Sequence, residues 1–123
     1  MRIFKYSKFS RYTGKEGISD NELLKVVEKI EAGQADANLG GNVYKVRIAR
    51  SGEGKSGGHR AIIYFKNEFR TFFAYCFSKS ERSNISDKEL LAFKADAKDQ
   101  FLATDEQIEV RLKNGTLIEI FKE

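Results

Sequence analysis

The segment that decides the fold is NVYKVRIARSGEGKSGGHRAIIYF, residues 42–65. In its first half, three apolar or aromatic residues alternate with Lys45 and Arg47, which is the two-residue period of a strand with one buried face. Residues 51–58 contain four glycines and can only form a turn or a tight loop. Residues 60–65 are rich in β-branched and aromatic side chains and predict a second strand. We therefore expect two antiparallel strands with a cationic solvent face.

Elements on both sides extend this pair of strands. A turn at residues 66–69 and a strand at residues 70–77 follow it, which gives three adjacent antiparallel strands. Upstream, the pattern predicts a strand at residues 2–5 and a short helix ending near Gly14. A second helix begins after Ser19 and ends at Gly33. Downstream, a capping box that starts at Ser86 opens an amphipathic helix.

The C-terminal segment at residues 105–114 has two possible structures. It ends in Asn114-Gly115, which is the strongest short signal for a β-hairpin. Thr104, however, begins a capping box, and Gly115 would then be the glycine that follows a short helix. We favour the helix, followed by a strand at residues 116–121.

These elements predict one α+β domain over residues 1–123: a small twisted antiparallel sheet, with an N-terminal helical hairpin and a later helix packed on one face. No apolar run approaches the length of a membrane helix, and the N-terminus has no secretory signal, so we expect a cytoplasmic protein. The single cysteine, Cys76, excludes an internal disulfide. With one histidine as well, His59, the chain lacks the residues of a typical zinc site, and no metal or cofactor is expected.

Positive charge is concentrated in the middle of the chain. Residues 43–82 contain nine Lys or Arg and three Glu, whereas the remainder contains 13 basic and 15 acidic residues. Such a local excess favours binding of a polyanion. A solvated cationic sheet face is the simpler interpretation of scattered charges, but clustering on three neighbouring strands favours a binding site.

The glycine-rich loop invites comparison with a nucleotide-binding loop. Its Gly54-Lys55-Ser56 matches the end of a P-loop, but that motif requires a glycine at position 49, where the chain has Ala49. The segment after Ser56 also reads as a strand rather than the helix that would face the phosphates. Nucleotide hydrolysis is therefore disfavoured.

The candidate site residues are the cations and rings of this central region. His59 is placed next to Arg60 at the exit of the loop, where an imidazole would suit proton transfer. Aromatic side chains near the cations suit base stacking in single-stranded RNA, although aromatic residues in strands more often belong to the core. We predict a catalytic set of Arg47, Arg60, Lys79 and His59, and an RNA-binding set of Lys45, Arg50, Lys55, Tyr75 and Arg82.

Three linked motifs resemble the RelE/HigB toxins of type II toxin–antitoxin systems. They are GGNVYKVRIAR at residues 40–50, the loop GEGKSGGHR at residues 52–60, and FSKSERSNI at residues 77–85. The resemblance extends over nearly the whole chain. The sequence departs from the family pattern at His59, where a tyrosine is more common, and at Val46, where a second basic residue is common.

The resemblance implies a twisted sheet with helices on one face and a cationic cleft on the other. It also implies an endonuclease that cuts messenger RNA, either free or in the ribosomal A site. Because Lys and Arg can hold the phosphate and stabilise its added charge, we expect this enzyme to be metal-independent. A cognate antitoxin, often a helix-turn-helix protein encoded next door, is implied as the partner. Two alternatives stay open: a ParE-like toxin that poisons DNA gyrase, and a non-catalytic basic domain that binds nucleic acid.

Overall fold

The computed structural model describes residues 1–48 and 58–122. Within these residues the chain forms six strands and four helices. In chain order they are β1 (Arg2–Tyr6), α1 (Ser7–Glu16), α2 (Asp20–Glu31), β2 (Ala37–Gly40), β3 (Val43–Ile48), β4 (His59–Lys66), β5 (Arg70–Ser78), α3 (Asp87–Leu102), α4 (Asp105–Lys113) and β6 (Leu117–Ile120). The α+β class predicted from the sequence is confirmed.

The strands form one mixed sheet in the order β2-β3-β4-β5-β1-β6. Its centre, β3-β4-β5, is antiparallel as predicted. The expectation of a wholly antiparallel sheet is wrong, because β1 pairs with β5 in parallel. A parallel neighbour requires a long crossover connection, and here the whole chain from α1 to β4 separates the two strands. The short edge strand β2 was not predicted, since its sequence, ANLG, has little β-forming character.

Helices cover both faces of the sheet, which corrects the expectation that they share one face. Helices α1 and α2 pack on the face that carries Val46, Ala61 and Ile63. Helices α3 and α4 pack on the opposite face, against Ile62 and Tyr64. Because alternate residues of a strand point to opposite faces, each central strand contributes to both cores. The first of these faces is hereafter the α1–α2 face, and the second the α3 face.

The ends of the helices follow the capping signals. The side chains of Ser19, Ser86 and Thr104 each accept a hydrogen bond from a backbone N–H at the start of α2, α3 and α4. The choice of a helix for the C-terminal segment is thereby confirmed. Helix α1, in contrast, continues through Gly14 and ends at Gly17, which adopts the left-handed conformation at φ +71°.

Polar side chains fix α3 to the sheet. The hydroxyls of Tyr6 and Tyr64 donate to one carboxylate oxygen of Asp96, at 2.5 and 2.8 Å. At the other end of the helix, the buried Arg70 donates to the carbonyl oxygens of Gln100 and Ala103 at 3.0 and 2.8 Å. These contacts hold α3 against strands β1, β4 and β5.

Candidate nucleic-acid interface

Two arginines lie side by side on the α3 face, one near the end of β3 and the other near the start of β4. Arg47 on β3 and Arg60 on β4 are direct cross-strand partners, and both alternate with residues of the α1–α2 face, so both project to the α3 face. Within residues 1–48 and 58–122, neither guanidinium forms an ion pair with a carboxylate. Like charges directly opposite each other destabilise a sheet. An anion bound between the two guanidinium groups of this arginine pair would offset their repulsion.

Aromatic rings continue the same row of the sheet. Phe77 on β5 is the cross-strand partner of Arg60, and Tyr75 lies two residues earlier, with its ring 5.9 Å from that of Phe77. Phe77 is buried, whereas Tyr75 is partly exposed. The Tyr75 ring also packs against Phe93 of α3 at 5.7 Å. The structure thus places Phe77 next to Arg60 in the sheet, with the Tyr75 ring against that of Phe77.

Arg82 contacts these rings, and its positive charge is paired with the carboxylate of Glu89. Its guanidinium lies 5.5 Å from the Phe77 ring, donates to the Tyr75 hydroxyl at 3.1 Å, and binds both carboxylate oxygens of Glu89 at 2.6 and 3.1 Å. The hydrogen bond from Arg82 holds the pKa of Glu89 down, at about 2. Arg82 therefore supports the aromatic rings and contributes little free positive charge.

The remaining predicted cations occupy the rim. Lys45, two residues before Arg47 on the same face, lies 3.4 Å from the side-chain oxygen of Asn84. Lys79 is exposed, one residue beyond β5, and its backbone N–H points at the carbonyl of Gly58 at 3.4 Å. Lys79 thus flanks the strand that carries Arg60. The predicted Arg50 and Lys55 lie outside the described residues.

The structure separates His59 from this group. Its side chain is on the α1–α2 face, 2% exposed, and its Nδ1 is 2.6 Å from the hydroxyl of Tyr12 on α1. The two rings meet edge to face at 5.4 Å. The other ring nitrogen, Nε2, is buried without a hydrogen-bond partner among the described residues. Adjacent positions on a strand face opposite sides, so proximity to Arg60 in sequence places His59 on the far side of the sheet.

Two residues of the site were missed by the sequence reasoning. Glu89 could be identified as a capping-box residue, and it does accept from the Ser86 N–H, but its second contact with Arg82 spans a loop. The side-chain oxygen of Asn84 accepts hydrogen bonds from the Lys45 ammonium and from the backbone N–H of Ile85. Neither role leaves a periodic signal, because both depend on how the loop after β5 folds back.

No three or more His, Cys, Asp or Glu side chains in residues 1–48 and 58–122 are grouped so that they could hold a metal ion. Among the helices in the same part of the chain, none has the length and apolarity needed to cross a membrane.

Residues 1–120 match the family model for RelE, described as the RelE toxin of the RelE / RelB toxin-antitoxin system. The match covers nearly the whole chain, including every strand that contributes to the arginine pair and its aromatic neighbours. The chain belongs to the RelE toxin family.

Proposed function

We propose that the chain is an endoribonuclease that cleaves messenger RNA and so stops translation. The observation that carries this proposal is the arginine pair, in which Arg47 and Arg60 are opposed on one sheet face and neither guanidinium forms an ion pair with a carboxylate of the described residues. A phosphodiester supplies the missing anion, and the planar guanidinium group binds two phosphate oxygens at once. Tyr75 beside the pair offers a ring for an adjacent base.

The reaction requires charge stabilisation and two proton transfers. The ribose 2′-oxygen forms a bond to phosphorus as the bond to the 5′-oxygen breaks; one proton leaves the 2′-hydroxyl and another reaches the 5′-oxygen. We assign the stabilisation of the phosphoryl oxygens to Arg47 and Arg60. Lys79 and Glu81, both exposed on the turn after β5, are the proposed proton donor and acceptor. These side chains can supply the chemistry without a metal ion.

The other predicted residues take supporting roles in this proposal. Lys45 binds a neighbouring phosphate, while Arg82, neutralised by Glu89, holds Tyr75 in place. Arg50 and Lys55, which precede β4 in the sequence, are proposed to contact RNA. His59, on the opposite face, is left out of the reacting group.

The family implies an antitoxin as partner. We propose a helix-turn-helix protein encoded next door, and we propose that messenger RNA is cut in the ribosomal A site.

The test is induction of the chain without its antitoxin, followed by mapping of transcript 5′ ends. New 5′ ends within coding regions, with translation falling before DNA synthesis, are expected. Arg60→Lys keeps the charge but loses the planar fork, so cleavage should fall by about two orders of magnitude, the loss of roughly 3 kcal/mol of transition-state stabilisation. Arg11→Lys, an exposed change on α1, is the matched control. Intact transcripts with early arrest of DNA synthesis would instead support a gyrase poison.

A further inference from the structure

A second cationic surface lies at the other end of the α3 face, away from the arginine pair. A groove of about 300 Å³ opens between the turn before β3, the end of β4 and the last turns of α3. Three lysines surround it: Lys66 on β4, and Lys94 and Lys98 one turn apart on α3. Within the described residues, none of the three forms an ion pair with a carboxylate. We call this surface the lysine groove.

The backbone of the neighbouring turn allows Lys94 to lie at the groove. Gly40 and Gly41 both have positive φ, and a Cβ on Gly41 would come within 3.2 Å of the Lys94 Cγ. The stem of Lys94 therefore lies along a glycine surface that has no side chain, with its ammonium next to Gly40. This packing restricts the lysine to the groove, so its charge is held there at a reduced entropic cost.

Apolar and aromatic side chains are interleaved with these cations. Phe101 and Leu102 line the groove, and the Phe101 ring lies 6.4 Å from that of Phe69, which is 39% exposed. The Lys66 ammonium is 5.8 Å from the Phe69 ring. Unpaired lysines beside accessible rings are the combination with which proteins bind single-stranded nucleic acid, with phosphates on the cations and a base stacked on a ring.

We propose that the lysine groove is a second binding site for single-stranded RNA, which holds the same strand that the arginine pair contacts. This inference rests on the proposed function for the identity of the strand. Arg60 and Lys66 lie six residue steps apart on β4, which separates the two sites by about 20 Å at the usual rise of a strand. One extended strand several nucleotides long can reach both, whereas a very short oligonucleotide occupies only one.

The test compares a charge-removing variant of the groove with a matched variant on the opposite face. The groove variant is Lys66→Gln/Lys94→Gln/Lys98→Gln, and the control, Lys15→Gln/Lys25→Gln/Lys29→Gln, changes the net charge equally on α1 and α2. Affinity is measured by fluorescence anisotropy, at several salt concentrations, with labelled RNA of about four and about twelve nucleotides.

For the longer RNA we plot the logarithm of the binding constant against the logarithm of the salt concentration. The magnitude of this slope should be smaller by about 2 in the groove variant, since three single-strand phosphate contacts contribute about 0.7 each. Its affinity for the shorter RNA, and the slope of the control variant, should stay at wild-type values. Equal losses in both variants, or no loss in the groove variant, would overturn the proposal. Retained RNA affinity with loss of antitoxin affinity would also overturn it, by assigning the groove to an acidic protein segment.

A ring variant tests the stacking contact separately. Phe69→Ser should lower the affinity for the longer RNA about tenfold without changing the salt slope, because stacking releases no counterions. Phe121→Ser, which removes a ring that is 73% exposed near the C-terminus, is the control and should have no effect. If the two variants behave alike, the ring does not stack on a base, and the proposal is overturned in this respect.

Cleavage measured with translating extracts keeps the two proposals distinguishable. If wild-type protein binds RNA through the groove but yields no new 5′ ends, the endonuclease proposal fails and the groove stands. If 5′ ends appear and depend on Arg60 but the groove variant binds the longer RNA normally, the endonuclease proposal stands and the proposal of a second RNA site in the groove fails.

Discussion

Arg70 is a positively charged residue that is buried in the fold, with 3% of its surface exposed. Its guanidinium donates to the carbonyls of Gln100 and Ala103 and to the carboxylate of Asp105, and it lies 4.4 Å from the Phe69 ring. The last carbonyls of a helix have no partner within the helix, so this side chain caps the end of α3. It joins β5, α3 and α4 at one point.

We predict that Arg70→Met destabilises the fold by about 2–4 kcal/mol, because methionine fills similar space but leaves two helix-end carbonyls without a donor. Equilibrium urea unfolding gives the free energy of unfolding. Arg11→Met, at an exposed position on α1, serves as the control and should change it by less than about 0.5 kcal/mol. Equal effects from the two changes would show that the Arg70 bonds contribute nothing.

The bond between Tyr12 and His59 gives a second prediction. Tyr12→Phe removes the hydroxyl that lies 2.6 Å from His59 Nδ1 and should cost about 1–2 kcal/mol of unfolding free energy. Tyr44→Phe, a change of the same kind at a hydroxyl without a hydrogen bond in the described residues, should cost less. RNA cleavage per folded molecule should not change. A stable Tyr12→Phe protein without cleavage activity would return His59 to the reacting group.

At the level of single residues, the sequence predicted that Arg47 and Arg60 lie on neighbouring strands, but it did not predict that His59 faces away from them. The alternation that puts Arg60 on the same face as Ile62 also puts His59 on the same face as Ala61, so the separation could have been read from the strand pattern. The identity of the hydrogen-bond partner could not, because Tyr12 is 47 residues away and reaches His59 only through the packing of α1.

Among the helices, α1 shows why capping signals must be read with their spacing. Gly14 was expected to end this helix, yet it sits within it, and the chain leaves the helix at Gly17. Of these two glycines, Gly17 has a positive φ, at which a residue with a Cβ is strained, and Gly14 does not. The fold therefore requires a glycine at position 17, whereas position 14 is an ordinary helical position.

This difference gives a paired prediction. Gly14→Ala should stabilise the protein by about 0.5–1 kcal/mol, because alanine favours the helix and a Cβ there would meet no atom within 4 Å. Gly17→Ala should destabilise it by about 1 kcal/mol, although a Cβ there also has open space, because its left-handed conformation costs energy for an L-residue. Thermal and urea unfolding of the two variants give the signs. The same sign for both would contradict the assigned helix end.

The strands and helices were predictable to the extent that their signals are local. Capping at Ser86 and Thr104 locates α3 and α4, and alternation locates β3 and β4. The parallel pairing of β1 with β5 carries no such signal, because it joins residues 68 positions apart, as in Arg2 with Arg70. The face chosen by α3 is likewise decided by distant groups, among them Tyr6 and Tyr64 around Asp96.

In the whole molecule, the sheet separates two environments. On the α1–α2 face, helices cover the central strands and bury His59 and Cys76. On the α3 face, the helix crosses the sheet and leaves cationic surfaces at both ends: the arginine pair at one and the lysine groove at the other. The net charge is therefore less informative about function than the way in which one helix divides the charged surface.

Buried phenol and thiol groups connect this packing to pH. Burial raises the pKa of Cys76 to about 12, with a further rise from the charge of Glu16. Burial is also the main cause of the raised pKa values of Tyr6 and Tyr64, with Asp96 adding to both. In each case the folded protein keeps a proton that the unfolded chain releases near pH 9 for the thiol and pH 10 for the phenols.

We predict from these shifts that stability is lost on the alkaline side. A raised folded-state pKa contributes stability that is complete below the unfolded pKa and declines as pH rises, so unfolding free energy should stay level up to pH 9 and then fall. Each group adds about 1.4 kcal/mol per pH unit to the slope, first Cys76 and, above pH 10, the tyrosines as well. Urea unfolding from neutral pH to about pH 11 measures this slope.

Cys76→Ala should delay the decline to pH 10, because only the phenols then remain to titrate. A wild-type stability that stays level beyond pH 10 would mean that water reaches these groups in the folded state, and that the two cores are less closed than the packing around Tyr64 and Cys76 requires.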